Sequence, residues 1–206
     1  MKKKIKVLNL YAGIGGNRKL WDNDKVEVTA VENNPKIAAI YKKYFPNDKV
    51  IVEDAHEYLL EHYKEFDFIW SSPPCPTHSD IRRCGVHKGQ YKALYPNMQL
   101  YQEIILLQHF FKGKFVVENV VSYYDPLIKP YTAHRHYFWS NFVITEKKIK
   151  NKRIHNDIIG SQEVYGFNIK DEDVEDKRKV LRNMVDPDVG LHIFNLAFNN
   201  VQKTLF

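Results

Sequence analysis

Cysteine is scarce in this chain of 206 residues. Cys75 and Cys84 are the only two, too few for a disulfide framework, and none of the nine histidines stands at zinc-ligand spacing from them. Reduced thiols and no metal are therefore expected. A run of 18 apolar residues is also lacking, which argues against a helix that crosses a membrane. The opening Met1-Lys2-Lys3-Lys4 runs into a short strand pattern rather than the apolar core of a signal peptide. No membrane partner and a cytoplasmic location are the expectations. Internal repeats and low-complexity tracts are absent too, which sets aside repeat arrays and disordered linkers.

What is present is a globular composition, 44% hydrophobic and 27% charged, in a length that suits one domain or one domain with a small appendage. The formal net charge of +6 allows a polyanionic partner through phosphate contacts, without specifying one.

Ile5 to Tyr11 reads as a strand that ends in Ala12-Gly13-Ile14-Gly15-Gly16, a turn glycines enter without Cβ strain. A second strand, Val26 to Val31, ends at Glu32. Asn33-Asn34-Pro35 then offers a cap with proline at the first helical position. A helix over 36–44, a strand over 50–53 and a helix over 55–63 follow, with Asp54 available as the cap. The strand Phe66 to Trp70 leads into Ser71-Ser72-Pro73-Pro74-Cys75-Pro76-Thr77-His78-Ser79. After a polar stretch from Asp80 to Asn97, read as loop, come a helix over 98–111, a strand from Phe115 running into Glu118-Asn119-Val120, and a late strand from His136 to Ile144. Strands alternating with helices predict an α/β fold, a doubly wound and mostly parallel sheet. The chain divides into a catalytic and cofactor-binding part (1–145), a charged, weakly periodic insertion (146–179) with no core of its own, and a C-terminal segment (180–206) whose helix, 188–201, packs back on the sheet.

Cys75 is the most informative residue. Three prolines in four positions forbid a continued strand or helix, because each lacks an amide donor and has a fixed φ. The thiol therefore sits on a stiff loop at a strand end, where open α/β sheets bind ligands. It is either a small buried hydrophobe or a nucleophile. Glu32 follows Gly16 by 16 residues, an acid after the second strand placed to accept ribose hydroxyls from a nucleoside whose phosphates or equivalent lie on the glycine turn; the turn by itself could be an ordinary tight turn.

The series Leu10-Tyr11-Ala12-Gly13-Ile14-Gly15-Gly16, then Pro73-Pro74-Cys75 with Ser79 four residues on, then Glu118-Asn119-Val120, resembles the motifs of the DNA cytosine-5 methyltransferases. The resemblance spans about residues 5–145 and resumes at Arg182-Asn183-Met184-Val185-Asp186-Pro187, similar to the family's closing motif or else a plain helix start. It implies a Rossmann-like fold that binds S-adenosylmethionine and transfers its methyl group to carbon 5 of cytosine in DNA through a covalent cysteine adduct. Restriction-modification is the implied setting. The resemblance implies Cys75 as nucleophile, Glu118 and Asn119 at the base, and Arg135 as a clamp for base or phosphate. For the cofactor it implies Tyr11, Ala12, Gly13, Gly15, Gly16, Glu32, Asn33, Asp54, Pro74, Asn183 and Val185. Asp54 would either contact the adenine amine or simply cap its helix.

Departures from the family pattern are specific. Pro76 replaces a glutamine, His78 an aromatic, and Thr132-Ala133-His134-Arg135-His136 occupies the place of a Gln-x-Arg-x-Arg motif. The large target-recognition domain of typical members shrinks to about 40 residues. Recognition is then either loose or borrowed from a partner subunit. The base must leave the duplex or be unpaired already, and 77–97, with Arg82, Arg83, His87, Lys88, Tyr91 and Lys92, is the candidate DNA-facing segment. RNA is the less favoured substrate; a non-catalytic cofactor or DNA binder is the alternative from another class, which would need neither Cys75 nor Glu118.

Overall fold

The structure, a computed structural model, describes residues 3–146 and 165–198. Seven strands form one sheet in the order β3-β2-β1-β4-β5-β7-β6. These are β1 (Ile5–Leu10), β2 (Val26–Val31), β3 (Lys49–Ile51), β4 (Phe68–Ser71), β5 (Lys114–Val120), β6 (Tyr131–Ala133) and β7 (His136–Ser140). The first five are mutually parallel; β7 runs antiparallel to both β5 and β6. Among the described residues the helices are α1 (Pro35–Tyr44), α2 (Ala55–His62), α3 (Asp80–His87), α4 (Gln99–Phe110), α5 (Lys177–Arg182) and α6 (Pro187–Phe198). This is the doubly wound, Rossmann-like sheet expected from the strand and helix alternation.

The central strands are apolar on both faces because both faces are covered. Val7, Val28, Phe68, Trp70, Val116 and Phe138 pack under α6, through Ile193 and Phe194, with Trp21 stacked on Phe194 at 4.8 Å. Leu8, Leu10, Ile69, Phe115 and Val117 pack under α2 and α4, through Leu59, Leu100, Ile104 and Leu107. Each such side chain contributes roughly 1.5–3 kcal/mol by leaving water.

Strand register levels the carboxyl ends. Ile51, Val31, Leu10, Ser71 and Val117 are successive partners across five strands. The residues that follow them, among them Tyr11, Glu32, Ser72 and Glu118, therefore emerge along one edge. The strand order reverses direction at β1 and β4, the crevice where such sheets bind ligands.

Four elements differ from the sequence reading. Asp80–His87 is a helix rather than loop; its one buried residue is Gly85, where the Tyr91 ring lies so close that a Cβ would overlap it. The helix has only eight residues and leaves Ile81 exposed, so its apolar spacing does not mark a core-facing face. The short edge strand β6 and the six-residue α5 went unread because neither is long enough to carry a period. The late strand stops at Ser140, since the Asn141 side chain takes over the next bonds, accepting from the Phe115 amide and donating to the Gly113 carbonyl. From the charged insertion, Tyr165, Phe167 and Ile169 are buried with Ile14 and Ile40 of the main body. Residues 147–164, and the expected helical residues 199–201 with the tail after them, lie outside the described residues.

Candidate active site

The turn after β1 is a left-handed passage: Tyr11, Gly13 and Gly15 have φ of 53°, 55° and 86°. A Cβ at Gly13 would meet nothing within 4 Å, so open space lies beside it. At Gly16 the reverse holds. A Cβ there would overlap Met184 and the Val185 carbonyl oxygen, so the segment around Asn183 and Val185 returns against this turn. Asn183 is exposed and ends α5, and Val185 is half-buried against the core. Ala12 is buried and donates its amide to the Val31 carbonyl at 3.0 Å, which joins the turn to the end of β2.

Glu32 is 9% exposed and faces that turn. Its Oε2 accepts the Gly13 amide and its Oε1 the Asn34 amide, both at 3.0 Å. Burial pushes its carboxyl pKa up, and the two amide bonds oppose that shift by favouring the ionised form. Asn33 beside it is exposed. Asp54 is the α2 cap: its Oδ1 accepts both the His56 and Glu57 amides, at 2.8 and 3.1 Å. Capping thus occupies one carboxylate oxygen.

The sequence reading missed Glu103, which is fully buried in α4. Its Oε1 accepts the Tyr11 hydroxyl at 2.6 Å and lies 3.1 Å from His56 Nδ1; its Oε2 accepts the Ser71 hydroxyl at 2.6 Å. Burial and the adjacent carboxylate raise the Tyr11 pKa, so the hydroxyl stays protonated and keeps donating. The bond to Glu103 raises the pKa of His56. One carboxylate therefore joins the ends of β1 and β4 to the start of α2, and holds Tyr11 in its strained conformation. A signal was there: an acid inside the apolar stripe Leu100, Ile104, Leu107 must have partners.

Across the crevice, the proline loop is pinned on several sides. Pro73 is buried and its carbonyl accepts from Asn119 Nδ2 at 2.9 Å; Pro74 is exposed. The Cys75 carbonyl accepts the His78 and Ser79 amides at 2.9 and 3.1 Å, which folds the loop into a tight turn. Buried His78 lies 2.6 Å from the Tyr124 hydroxyl through Nδ1 and accepts the Tyr123 amide at its carbonyl. Cys75 is half-buried. Its thiol is pushed up first by burial and then by the Glu118 carboxylate, with a backbone bond and Lys179 opposing. The thiol and Glu118 are thus electrostatic neighbours at the ends of β4 and β5.

Asn119 is buried and works on the loop; Glu118 keeps 10% of its side chain exposed. Arg135 lies exposed in the turn between β6 and β7, at φ 67°. The side chain that the structure brings to Glu118 is instead that of His136, Nε2 to Oε1 3.7 Å. Beyond the loop, Pro76, Thr77, Arg82, Arg83, Leu94 and Tyr123 border a cleft of about 230 Å³. Arg82 stands over the Tyr91 ring at 5.3 Å and Arg83 over Tyr123 at 5.7 Å, so the segment expected to face DNA presents guanidinium groups braced by aromatics.

The model of a family described as C-5 cytosine-specific DNA methylase matches residues 5–127, which is more than half of the chain. No curated protein matches it. Among solved structures, a SAM-dependent methyltransferase from Agrobacterium tumefaciens is 16% identical, with a TM-score of 0.44; the match covers 60% of this chain and 41% of that one. This chain thus spans less than half the length of that protein. A hypothetical protein from Thermus thermophilus is also 16% identical, with 66% and 74% covered and a TM-score of 0.43. A Pyrococcus horikoshii protein is 25% identical, with 58% and 51% covered and a TM-score of 0.36.

Proposed function

The chain belongs to the C-5 cytosine-specific DNA methylase family, and from that premise we propose that it methylates carbon 5 of cytosine in DNA through a transient bond from Cys75. Its cofactor is S-adenosylmethionine. The residues fit that group: open space beside Gly13, a buried carboxylate facing it in Glu32, and the segment around Val185 closed against Gly16. When bound, the cofactor supplies an electrophilic methyl carbon.

The chain's own groups divide the work. Glu32 accepts the ribose hydroxyls, with Asn33 at its side, while Tyr11, fixed by Glu103, lines the turn. Asp54 offers the oxygen that its cap leaves over. Cytosine carbon 5 is a poor nucleophile. The Cys75 S–H bond breaks, its proton passing to solvent, and the thiolate adds to carbon 6; the displaced electron pair makes carbon 5 nucleophilic as Glu118 gives a proton to ring nitrogen 3. After carbon 5 takes the methyl, its own proton leaves to a base, the sulfur–carbon bond breaks, and nitrogen 3 returns its proton to Glu118. Asn119 holds the loop through Pro73.

The observation that carries this reading is the placement of the Cys75 loop and Glu118 at the level ends of the paired strands β4 and β5, tied together by the Asn119–Pro73 bond, beside the open turn. In the resting protein the pair keeps the sulfur protonated, because a thiolate next to a carboxylate is unfavourable. The test is a DNA duplex carrying 5-fluorocytosine, incubated with donor. The fluorine blocks departure from carbon 5, so a covalent protein–DNA adduct at Cys75 is expected by mass spectrometry; its absence alongside active transfer to ordinary cytosine would refute the mechanism. The short insertion supports either loose recognition or recognition borrowed from a partner subunit.

A further inference from the structure

Glu118 is nearly desolvated, and a carboxylate so placed needs a partner. Among the described residues its ion-pair contact is His136, on β7. The orientation of that ring is decided by its other nitrogen. His136 Nδ1 lies 3.0 Å from the His134 carbonyl oxygen, and a carbonyl only accepts, so Nδ1 carries hydrogen. Nε2 is then the atom that gains or loses a proton, and it faces Glu118. His134 and Arg135, both at positive φ, form the tight turn that presents this geometry.

We propose that His136 is the proton-carrying positioning residue for Glu118, and that methyl transfer by this chain requires its imidazolium form. The inference rests on the reaction proposed above. An imidazolium neutralises the Glu118 carboxylate and so relieves its repulsion on the Cys75 thiolate. It also carries a proton that can be lent: Nε2–H breaks as Glu118 O–H forms, and that O–H then breaks as the bond to ring nitrogen 3 forms, leaving a neutral imidazole beside the carboxylate. The sequence reverses when nitrogen 3 is deprotonated, so no proton is consumed. A guanidinium could supply the charge but not the proton.

Other titratable groups around this cluster have distinguishable effects. His134, next in the turn, has its pKa lowered by burial, by His192 of α6 and by His136 itself, against Glu146 and Asp186, so it is the neutral member. Cys75 must lose a proton to react and so shapes the acid side of a pH profile; Lys179 of α5 acts on Cys75 in that same sense. The alkaline side is left to His136.

The experiment is the pH dependence of methyl transfer to mixed-sequence DNA by wild type, His136→Gln and His136→Arg. The wild-type rate should fall about tenfold per pH unit on an alkaline limb, as for loss of one required proton. His136→Gln should be at least about tenfold slower near pH 6.5 and lack that limb; His136→Arg, which keeps the charge, should also lack it. A wild-type alkaline limb in either variant, with melting temperature and donor binding unchanged, overturns the inference alone. No transfer and no 5-fluorocytosine adduct with the wild-type protein would instead overturn the reaction on which it rests.

Discussion

The two sides of the crevice are built differently. On the cofactor side, the ends of β1, β2 and α2 are joined through buried acids: Glu103 takes Tyr11 and Ser71, and Glu32 takes the Gly13 and Asn34 amides. On the base side the thiol is half-buried, Glu118 meets its histidine at 3.7 Å rather than at hydrogen-bond length, and the arginines of α3 lean on aromatic rings at the surface. The first side is preorganised, so it spends little on ordering when it binds. On the proposed reading the second is completed by a base that enters between Cys75 and Glu118, where proton transfer needs adjustable protonation.

The largest effect that would sharpen this contrast is on the base side. Cys75→Ala should lower methyl transfer by more than about a thousandfold, since a covalent step has no substitute here. Cofactor affinity by calorimetry should be unchanged. Residual transfer near the wild-type rate would leave the contrast without its chemistry. Gly16→Ala strikes the other side. Its Cβ would overlap a backbone oxygen at Val185 that cannot swing away, so about 1–3 kcal/mol of stability should be lost in urea titration. Cofactor binding should weaken with it, because the closing segment would be pushed off the turn. An unchanged urea midpoint would show that the closing segment yields without cost, and the cofactor side would lose its claim to rigidity.

Arg82→Ala combined with Arg83→Ala tests whether the braced guanidiniums meet a polyanion. The slope of log affinity against log salt for DNA should flatten by about two, one for each phosphate contact, with cofactor binding untouched. An unchanged slope would assign these arginines to their aromatic neighbours alone.

The same difference governs what could be read from the sequence. The cofactor side is local: a glycine turn, an acid at the next strand end and an Asn-Asn-Pro cap each lie within a few residues, and the strands bearing them carry a clear apolar pattern. So the glycine turn, the acid that meets it in Glu32 and the Asp54 cap were legible as local structure. Glu103 was not, because its partners come from 92, 32 and 47 residues away. On the base side, Cys75 announced itself through its prolines. Arg135 looks a better clamp than His136 in sequence because it is always charged, whereas strand register and a left-handed turn put its neighbour against Glu118. The short helix α3 gives only an eight-residue window and packs its one buried residue, Gly85, against Tyr91, so nothing in its pattern marks it as core-facing.

The smallest expected effect is a pH dependence of stability on the cofactor side. Glu103 raises the pKa of His56 in the folded protein. A folded-state pKa above the unfolded one means that the folded chain holds the proton more tightly. The resulting stabilisation is complete below the unfolded histidine value of about 6.5 and is lost as pH rises through the higher folded value. Urea midpoints should therefore decline from mildly acid to mildly alkaline pH. Glu103→Gln removes the charge while keeping an acceptor for Tyr11, so this decline should shrink even as overall stability drops. Because His56 is partly solvated, the change should be modest beside the cost of disturbing Glu103 itself. A decline of equal size in Glu103→Gln would place the responsible proton elsewhere, and the His56–Glu103 contact would then be a packing contact rather than a charge pair.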